Sequence, residues 1–264
     1  MKKVLTIAGS DCSGGAGIQA DIKTITAHGL YAMSVITAIT AQNTTRVSSI
    51  ESISPKMVKK QLESVFWDIF PDAVKIGMVQ NQETIQVIAE NLEQYCPKHV
   101  VVDTVMVSTS GKRLLEESAI SALKEKLIPL ADIITPNIPE AQVLSNVQIR
   151  DKESRIQAAK KIAQNYKGAV LIKGGHDSNN ADDLLYQQGN VIWYESPRID
   201  NQNTHGTGCT LSSGIACGLA QGYSMEESVA YAKEYITGAL QAGLDLGQGA
   251  GPLNHMWRQT RQEW

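Results

Sequence analysis

The stretch that decides the fold is Val4-Leu-Thr-Ile-Ala-Gly-Ser-Asp-Cys-Ser-Gly-Gly-Ala-Gly17, near the start of the chain. Its first five residues form a short apolar run, which predicts a buried strand. The glycines that follow predict a loop, and residues 16–28 predict a helix. A strand, a glycine-rich loop and a helix in this order indicate an α/β protein.

The same alternation continues along the chain. Strands are predicted at 31–37, 73–77, 100–103, 132–135 and 169–173, and helices at 55–66, 83–95, 116–126, 154–165, 207–220 and 225–244. Segments 184–187 and 191–195 flank Gln188-Gly189-Asn190, which predicts a hairpin. We therefore expect a mostly parallel central sheet with helices on both faces and a late antiparallel hairpin. Without a linker or repeat, residues 1–264 are predicted to form a single domain.

Composition excludes several classes of protein. The 264 residues are 42% hydrophobic, which suits a sizeable core, and a net charge of -3 predicts no general attraction to nucleic acid or acidic membranes. No apolar run reaches the roughly 18 residues of a membrane helix, and the first residues lack a signal-peptide pattern. The four cysteines show neither paired nor zinc-like spacing, so a cytoplasmic location is expected.

Ligands of parallel α/β sheets bind beyond the carboxyl ends of the strands. Here a polar or glycine-rich segment follows each of six predicted strands, at 9–17, 42–44, 77–78, 103, 135–137 and 173–176. One such loop would be ordinary, but six at one edge of a sheet predict a binding site.

The most distinctive segment is Asn203-Thr-His-Gly-Thr-Gly-Cys-Thr210, directly before an apolar helix. Glycines at a helix start can aim several N–H groups at one point, and the helix dipole adds positive charge, so this corner favours a phosphate. Cys209 falls in the first turn, where a lowered thiol pKa is expected. Local sequence alone leaves open a simple helix start with a small buried cysteine.

Two other nucleotide-binding motifs do not fit this sequence. Gly15-Ala-Gly-Ile-Gln-Ala20 fits the dinucleotide-binding pattern, but that pattern needs an acidic residue about 20 positions later, and residues 35–41 contain none. A Walker A loop is absent. Any nucleotide phosphate is therefore expected at the later glycine corner.

Taken in order, the motifs resemble those of the ribokinase-like superfamily, and within it the hydroxymethylpyrimidine/phosphomethylpyrimidine kinases of thiamine biosynthesis. The resemblance runs from residues 8–21 and 37–44 to the end of the chain. It includes Lys75-Ile-Gly-Met78, Asp103-Thr-Val-Met-Val107, Thr135-Pro-Asn-Ile-Pro-Glu-Ala141, Lys173-Gly-Gly-His176, His205-Gly-Thr-Gly-Cys-Thr210 and Gly251-Pro-Leu-Asn-His255.

The resemblance implies ATP-dependent phosphorylation of 4-amino-5-hydroxymethyl-2-methylpyrimidine and then of its monophosphate. ATP and Mg²⁺ are the implied cofactors, and a homodimer is the implied assembly. Cys209, where most ribokinase-like enzymes carry Asp, would be the base, with Gly206 and Gly208 donating N–H groups to the transferring phosphoryl group. The remaining implied roles are phosphate binding by Thr207, Lys173 and Asn137 and metal binding by Asp103 and Glu140.

The implied pyrimidine pocket includes Gln42 and Asp21 as readers of the ring. A side-chain amide suits an aminopyrimidine because it offers a donor and an acceptor together. The backbone at Gly9 and the side chains of Met78 and Val105 would be the apolar walls. Ordinary readings remain open: Gln42 could be a solvated loop residue, Met78 a core residue, and Lys173 a surface lysine with a buried stem. The usual Pro after Asp103 is Thr104 here.

Three rival functions follow from related patterns. Some pyridoxal kinases share this chain plan and tend to carry a second Cys in the segment predicted here as a mobile flap, Ser108-Thr-Ser-Gly111; Ser108 and Gln42-Asn43 favour the pyrimidine. A sugar or nucleoside kinase of this fold would carry Asp at position 209. A non-catalytic small-molecule binder would have lost the phosphate corner, which is intact.

Overall fold

The computed structural model describes residues 1–106, 116–175, 181–196 and 198–259. Its centre is a nine-stranded sheet with the order β3-β2-β1-β4-β5-β6-β7-β8-β9. The strands are β1 (Lys3–Asp11), β2 (Tyr31–Gln42), β3 (Val47–Ser52), β4 (Ala73–Ile76), β5 (Val100–Val102), β6 (Ile133–Ile134), β7 (Ala169–Ile172), β8 (Asp183–Gln187) and β9 (Asn190–Tyr194).

The sheet is parallel in its middle and antiparallel at both edges. β2, β1, β4, β5, β6 and β7 pair in parallel, whereas β3 pairs antiparallel with β2 and β8 and β9 form the hairpin beyond β7. The predicted fold class, a mostly parallel sheet with a late antiparallel hairpin, is confirmed. The hairpin turns at Gln188 and Gly189, both with positive φ, as a tight two-residue connection requires.

Helices cover both faces of the sheet. They are α1 (Gly17–Ala27), α2 (Pro55–Asp68), α3 (Gln82–Tyr95), α4 (Glu117–Ala122), α5 (Ile138–Ser145), α6 (Lys152–Ala163), α7 (Thr207–Gln221) and α8 (Met225–Gln241). A π-helical and a 3₁₀ turn extend α4 to Leu130. One core cluster packs the sheet against α2, α3 and α6, and the other packs it against α7 and α8. Among the described residues, no helix could cross a membrane.

Two elements are not predicted in full from the sequence, which gives no strand for β3 and only a helix start, at Asn137 and Glu140, for α5. β3 is a mostly exposed edge strand, and its Val-Ser-Ser-Ile-Glu-Ser sequence carries too little apolar alternation to predict a strand. α5 has only eight residues and starts with Ile138-Pro139, so it shows no sustained helical periodicity. That residues 1–264 form a single domain stays a prediction.

The topology gathers the predicted loops at one edge. Because five neighbouring strand pairs are parallel, the segments after β1, β2, β4, β5, β6 and β7 all leave from the carboxyl ends. An isolated parallel bridge between Asn137 and Lys173 continues the β6–β7 pairing into the site. A second bridge, between His205 and Pro252, docks the C-terminal segment against the residues before α7.

Candidate functional site

The glycine corner is built where the start of α7 meets the loop after β1. Gly206 is the N-cap of α7 with φ +85°, and a β-carbon at this position would lie 1.9 Å from the carbonyl oxygen of Gly15. Only glycine satisfies both the left-handed backbone and this close approach. No side chain in the described ranges caps α7, so the N–H groups of Gly208 and Cys209 in its first turn stay available for an anion.

Asp103 and Lys173 meet directly in front of Gly208. Lys173 Nζ lies 2.7 Å from Asp103 Oδ1, which also accepts a hydrogen bond from the Thr135 hydroxyl at 3.0 Å. A β-carbon at Gly208 would lie 3.3 Å from both Asp103 Oδ2 and Lys173 Nζ. Asp103, Lys173 and Gly208, which are far apart in the sequence, therefore lie close enough together to contact the same bound ligand.

Asp103 and Lys173 each stabilise the charged form of the other. Burial would raise the pKa of the Asp103 carboxyl, but the ammonium groups of Lys173 and Lys75 and hydrogen bonds from Lys173 and Thr135 hold that pKa below its usual value. Burial would likewise lower the pKa of Lys173, and the carboxylates of Asp103 and Glu140 raise it instead. The site therefore holds a carboxylate beside a firmly protonated lysine.

Asn137 and Glu140 form a reciprocal capping box at the start of α5. The Asn137 side chain accepts from the Glu140 N–H at 2.9 Å, and Glu140 Oε2 accepts from the Asn137 N–H at 2.9 Å. Glu140 also accepts from the Thr104 hydroxyl and the Met106 N–H, each at 3.2 Å. Burial raises its pKa. Thr104, which replaces the usual Pro of the family pattern, thus donates a hydrogen bond that helps to hold the Glu140 carboxyl group in place.

The oxygen donors near Lys173 fit a magnesium ion held jointly with a nucleotide. Mg²⁺ usually takes one or two carboxylates, with phosphate oxygens and waters filling the remaining positions. Asp103 and Glu140 are close enough for their charges to interact, and Asp103 Oδ2 lies on the Gly208 side. The described residues contain no group of three or more His, Cys, Asp or Glu side chains that would bind a metal alone.

Cys209 lies in the first turn of α7 and is partly exposed. Burial raises the pKa of its thiol to about 11; the Lys75 ammonium and the Gly17 N–H act in the opposite direction, whereas Asp21 and Asp103 raise the pKa further. The expected lowering by the helix start is therefore wrong, because removal of the thiolate from water outweighs the dipole. The sulfur nevertheless lies among charged groups at the sheet edge and not in a hydrocarbon core.

Gln42 ends β2 and reaches across to the residues before α7. Its Nε2 lies 2.8 Å from His205 Nε2, which in turn lies 2.9 Å from Asp11 Oδ2. Burial acts to raise the pKa of Asp11, but hydrogen bonds from His205, Ser13 and Ala16 bring it down to about 2. Both contacts use the same ring nitrogen, which donates to the Asp11 carboxylate in one tautomer and accepts from the Gln42 amide in the other. The network ties the predicted pyrimidine reader to the glycine corner.

Asp11 and His205 are site residues that sequence reasoning missed. Both lie inside motifs described above, in which the nearby glycines were the basis of the prediction. His205 is buried, and a β-carbon at Gly15 would lie 2.4 Å from its ring. The available signal was an acidic residue shortly after the predicted first strand and a histidine directly before Gly206.

Asp21 is placed differently from the prediction. It is fully buried, and both carboxylate oxygens accept from Lys75 Nζ, at 2.9 and 2.8 Å. The hydroxyls of Thr6 and Ser213 also donate to it, at 2.6 and 2.8 Å. With four hydrogen bonds and no exposed surface, Asp21 has no acceptor left for a pyrimidine. The prediction that Asp21 reads the ring is therefore wrong.

The predicted apolar walls lie together. Met78 packs with Ala38 in a small separate cluster that the half-buried Val105 joins. A β-carbon at Gly9 would lie 3.1 Å from Met78 Cε, so the Gly9 backbone borders the same surface. The predicted flap Ser108-Thr-Ser-Gly111, the preceding Val107 and His176 lie outside the described residues.

Comparisons with known proteins agree with this geometry. A family model described as phosphomethylpyrimidine kinase matches residues 11–254. The hydroxymethylpyrimidine/phosphomethylpyrimidine kinase of Rhizobium meliloti is 47% identical over 258 residues, covering 96% of this chain and 97% of that protein. The thiamine biosynthesis bifunctional protein of Geobacter sulfurreducens is 50% identical over 96% of this chain, and the matched part is 52% of that longer protein.

A solved structure shows the same fold with a related activity. The ADP complex of Bacillus subtilis pyridoxal kinase superposes with a TM-score of 0.90 at 38% identity, covering 98% of this chain and 99% of that chain. The family match spans most of the chain, and the sheet edge carries the residues on which the family's motifs rest. The chain therefore belongs to the phosphomethylpyrimidine kinase family.

Proposed function

We propose that the protein transfers the terminal phosphoryl group of ATP to the hydroxymethyl group of 4-amino-5-hydroxymethyl-2-methylpyrimidine, and a second one to the resulting monophosphate, in thiamine biosynthesis. The observation that carries this proposal is the convergence of Asp103, Lys173 and Gly208 beside Cys209. It supplies a cation and free N–H donors where phosphoryl transfer needs them.

The phosphate-binding roles follow from position. The N–H groups of Gly206 and Gly208 at the start of α7 would hold the oxygens of the transferring phosphoryl group, and Thr207, whose N–H donates to the Thr204 carbonyl oxygen at 3.3 Å in this structure, would bind phosphate only by giving up that bond. Lys173 Nζ and the half-buried Asn137, joined by the bridge between their backbones, would contact the nucleotide phosphates. These contacts orient the donor in line with the acceptor hydroxyl and neutralise charge that builds up in the transition state.

Cys209 would be the base. As the substrate oxygen bonds to phosphorus and ADP leaves, the hydroxyl proton passes to Cys209 in its thiolate form, which becomes the neutral thiol. Asp103 and Glu140 would hold Mg²⁺, which neutralises charge on the ATP phosphates when bound. Gln42 would read the amine and ring nitrogen of the pyrimidine, held by the hydrogen-bonded His205 and Asp11, with Gly9, Met78 and Val105 as walls.

Pyridoxal phosphorylation is the rival activity. It is favoured by the TM-score of 0.90 to a pyridoxal kinase. The pyrimidine is favoured by the amide of Gln42 at the site and by Ser108 in the position where some pyridoxal kinases carry Cys. A non-catalytic small-molecule binder is disfavoured because the N–H groups at the start of α7 and the Asp103–Lys173 pair, which such a protein would not need, are both present.

The test measures ATP consumption with the hydroxymethylpyrimidine, its monophosphate and pyridoxal as separate substrates. We expect turnover with both pyrimidines and a kcat/KM for pyridoxal at least tenfold lower. A preference for pyridoxal would overturn the substrate assignment. Tight pyrimidine binding without any turnover would support the non-catalytic binder instead.

We also propose a cytoplasmic homodimer, the assembly and location expected from the family resemblance and the cysteine pattern. Sedimentation equilibrium should then give twice the chain mass. A concentration-independent monomer would contradict the dimer.

A further inference from the structure

Lys75 places a charged side chain in the protein interior, and packing alone gives no reason for a charge at this position. It lies on β4 between Val74 and Ile76, which face the α2–α3 core, so its side chain faces the opposite layer, where α1 and α7 lie. It is fully buried and pairs with Asp21. Apolar residues in place of such a buried pair are often as stable or more stable, so stability alone gives no reason for it.

The ammonium of Lys75 reaches toward the site end of the sheet. A β-carbon at Gly77, two residues further along the chain, would lie 2.7 Å from Nζ, so the side chain leans toward the carboxyl end of β4. The hydrogen-bond partners of Nζ in the described chain are the two oxygens of Asp21, which leaves one of its three N–H donors.

The α7 helix places Cys209 next to this pair. Ser213, which donates to Asp21 at 2.8 Å, is four residues after Cys209, so both side chains lie on one face of the helix. The thiol is therefore about one helical turn nearer the site than the hydroxyl that contacts Asp21, on the side toward which Lys75 leans.

We propose that Lys75 is a positioning residue for phosphoryl transfer, whose ammonium, fixed by Asp21, stabilises the thiolate of Cys209 and prepares it to accept the substrate proton. The inference rests on the proposed role of Cys209 as base. Lys75 stays protonated throughout: the proton moves from the substrate oxygen to sulfur while the oxygen–phosphorus bond forms and ADP leaves.

Four charged groups from different elements act on the Cys209 thiol. Lys75 on β4 and Lys173 after β7 favour the thiolate, whereas Asp21 on α1 and Asp103 after β5 oppose it. Neutralising Lys75 and neutralising Asp21 should therefore move the thiol pKa in opposite directions. Loss of packing alone would not produce opposite signs.

The test measures the rate of Cys209 alkylation by iodoacetamide against pH in a Cys12→Ser/Cys96→Ser background. Cys217 is fully buried and contributes no fast phase. At pH 8, Lys75→Met should slow alkylation about tenfold and Asp21→Asn should speed it about tenfold, since one pKa unit is a tenfold change in thiolate. The double variant should lie within threefold of the parent.

Lys233→Met is the matched control, because it removes a largely buried ion pair with Asp183 that belongs to α8 and β8. It should leave the alkylation rate unchanged. Shifts of the same sign in Lys75→Met and Asp21→Asn, or no shift in Asp21→Asn, would overturn the inference even if Lys75→Met fails to fold. Pyrimidine phosphorylation by the parent tests the proposed function separately, since alkylation needs no substrate.

Discussion

Gly206→Ala should disable the enzyme through geometry more than through loss of stability. An L-residue at φ +85° costs about 1–2 kcal/mol of free energy of unfolding. The added methyl would also lie 1.9 Å from the Gly15 carbonyl oxygen, whereas side-chain β-carbons do not come within 3.0 Å of other heavy atoms. The start of α7 and the loop after β1 must therefore separate by about 1 Å or more, and displacements of this size cost about 100-fold in rate.

Gly222→Ala is the matched control at the other end of α7. Gly222 has φ +93°, and a β-carbon there would meet nothing within 4 Å. The backbone cost is the same, about 1–2 kcal/mol, but no part of the site has to move. Urea unfolding and steady-state kinetics on both variants separate the two effects.

We expect a larger loss of unfolding free energy in Gly206→Ala, because only its added methyl meets the Gly15 carbonyl, and a kcat reduced about 100-fold in Gly206→Ala but unchanged within threefold in Gly222→Ala. Wild-type-like kcat in Gly206→Ala, with the same loss of stability as in Gly222→Ala, would refute the argument that this contact holds the phosphate corner in place. Equal loss of kcat in both variants would show that α7 transmits strain along its length, which the structure does not predict.

Three further predictions concern single side chains. Cys209→Ala should lower kcat at least about 100-fold and change the pyrimidine Kd less than threefold, because a base acts in the transition state; calorimetry showing lost binding with kcat intact would contradict this. Gln42→Ala should raise the pyrimidine Kd about tenfold and spare the KM for ATP, and an unchanged Kd would remove Gln42 from the pocket. The folded pKa of Asp11, about 2, lies below its usual 3.8, so about 2 kcal/mol of stability is present above pH 3.8 and lost as pH falls through 2. Acid unfolding of Asp11→Asn should lack this component, and identical pH profiles would count against the His205–Asp11 network.

Local pattern was enough for most of the architecture. The apolar runs that became β1, β4, β5 and β7 are short and bounded by turn residues, so each predicts a strand without reference to its neighbours. The position of Cys209 at a helix start behind two glycines is likewise a local property. β3 was missed because an exposed edge strand has no buried face to impose a pattern.

The charge environment of the site was decided by tertiary structure alone. Asp21 is 54 residues from Lys75 and 192 from Ser213, and Asp11 is 194 residues from His205. Nothing near Asp21 in the sequence shows that all its acceptors will be used, and nothing near Cys209 shows that burial will raise its pKa. Secondary structure follows from interactions within a few residues, whereas burial and ionisation depend on groups that only the folded sheet brings together.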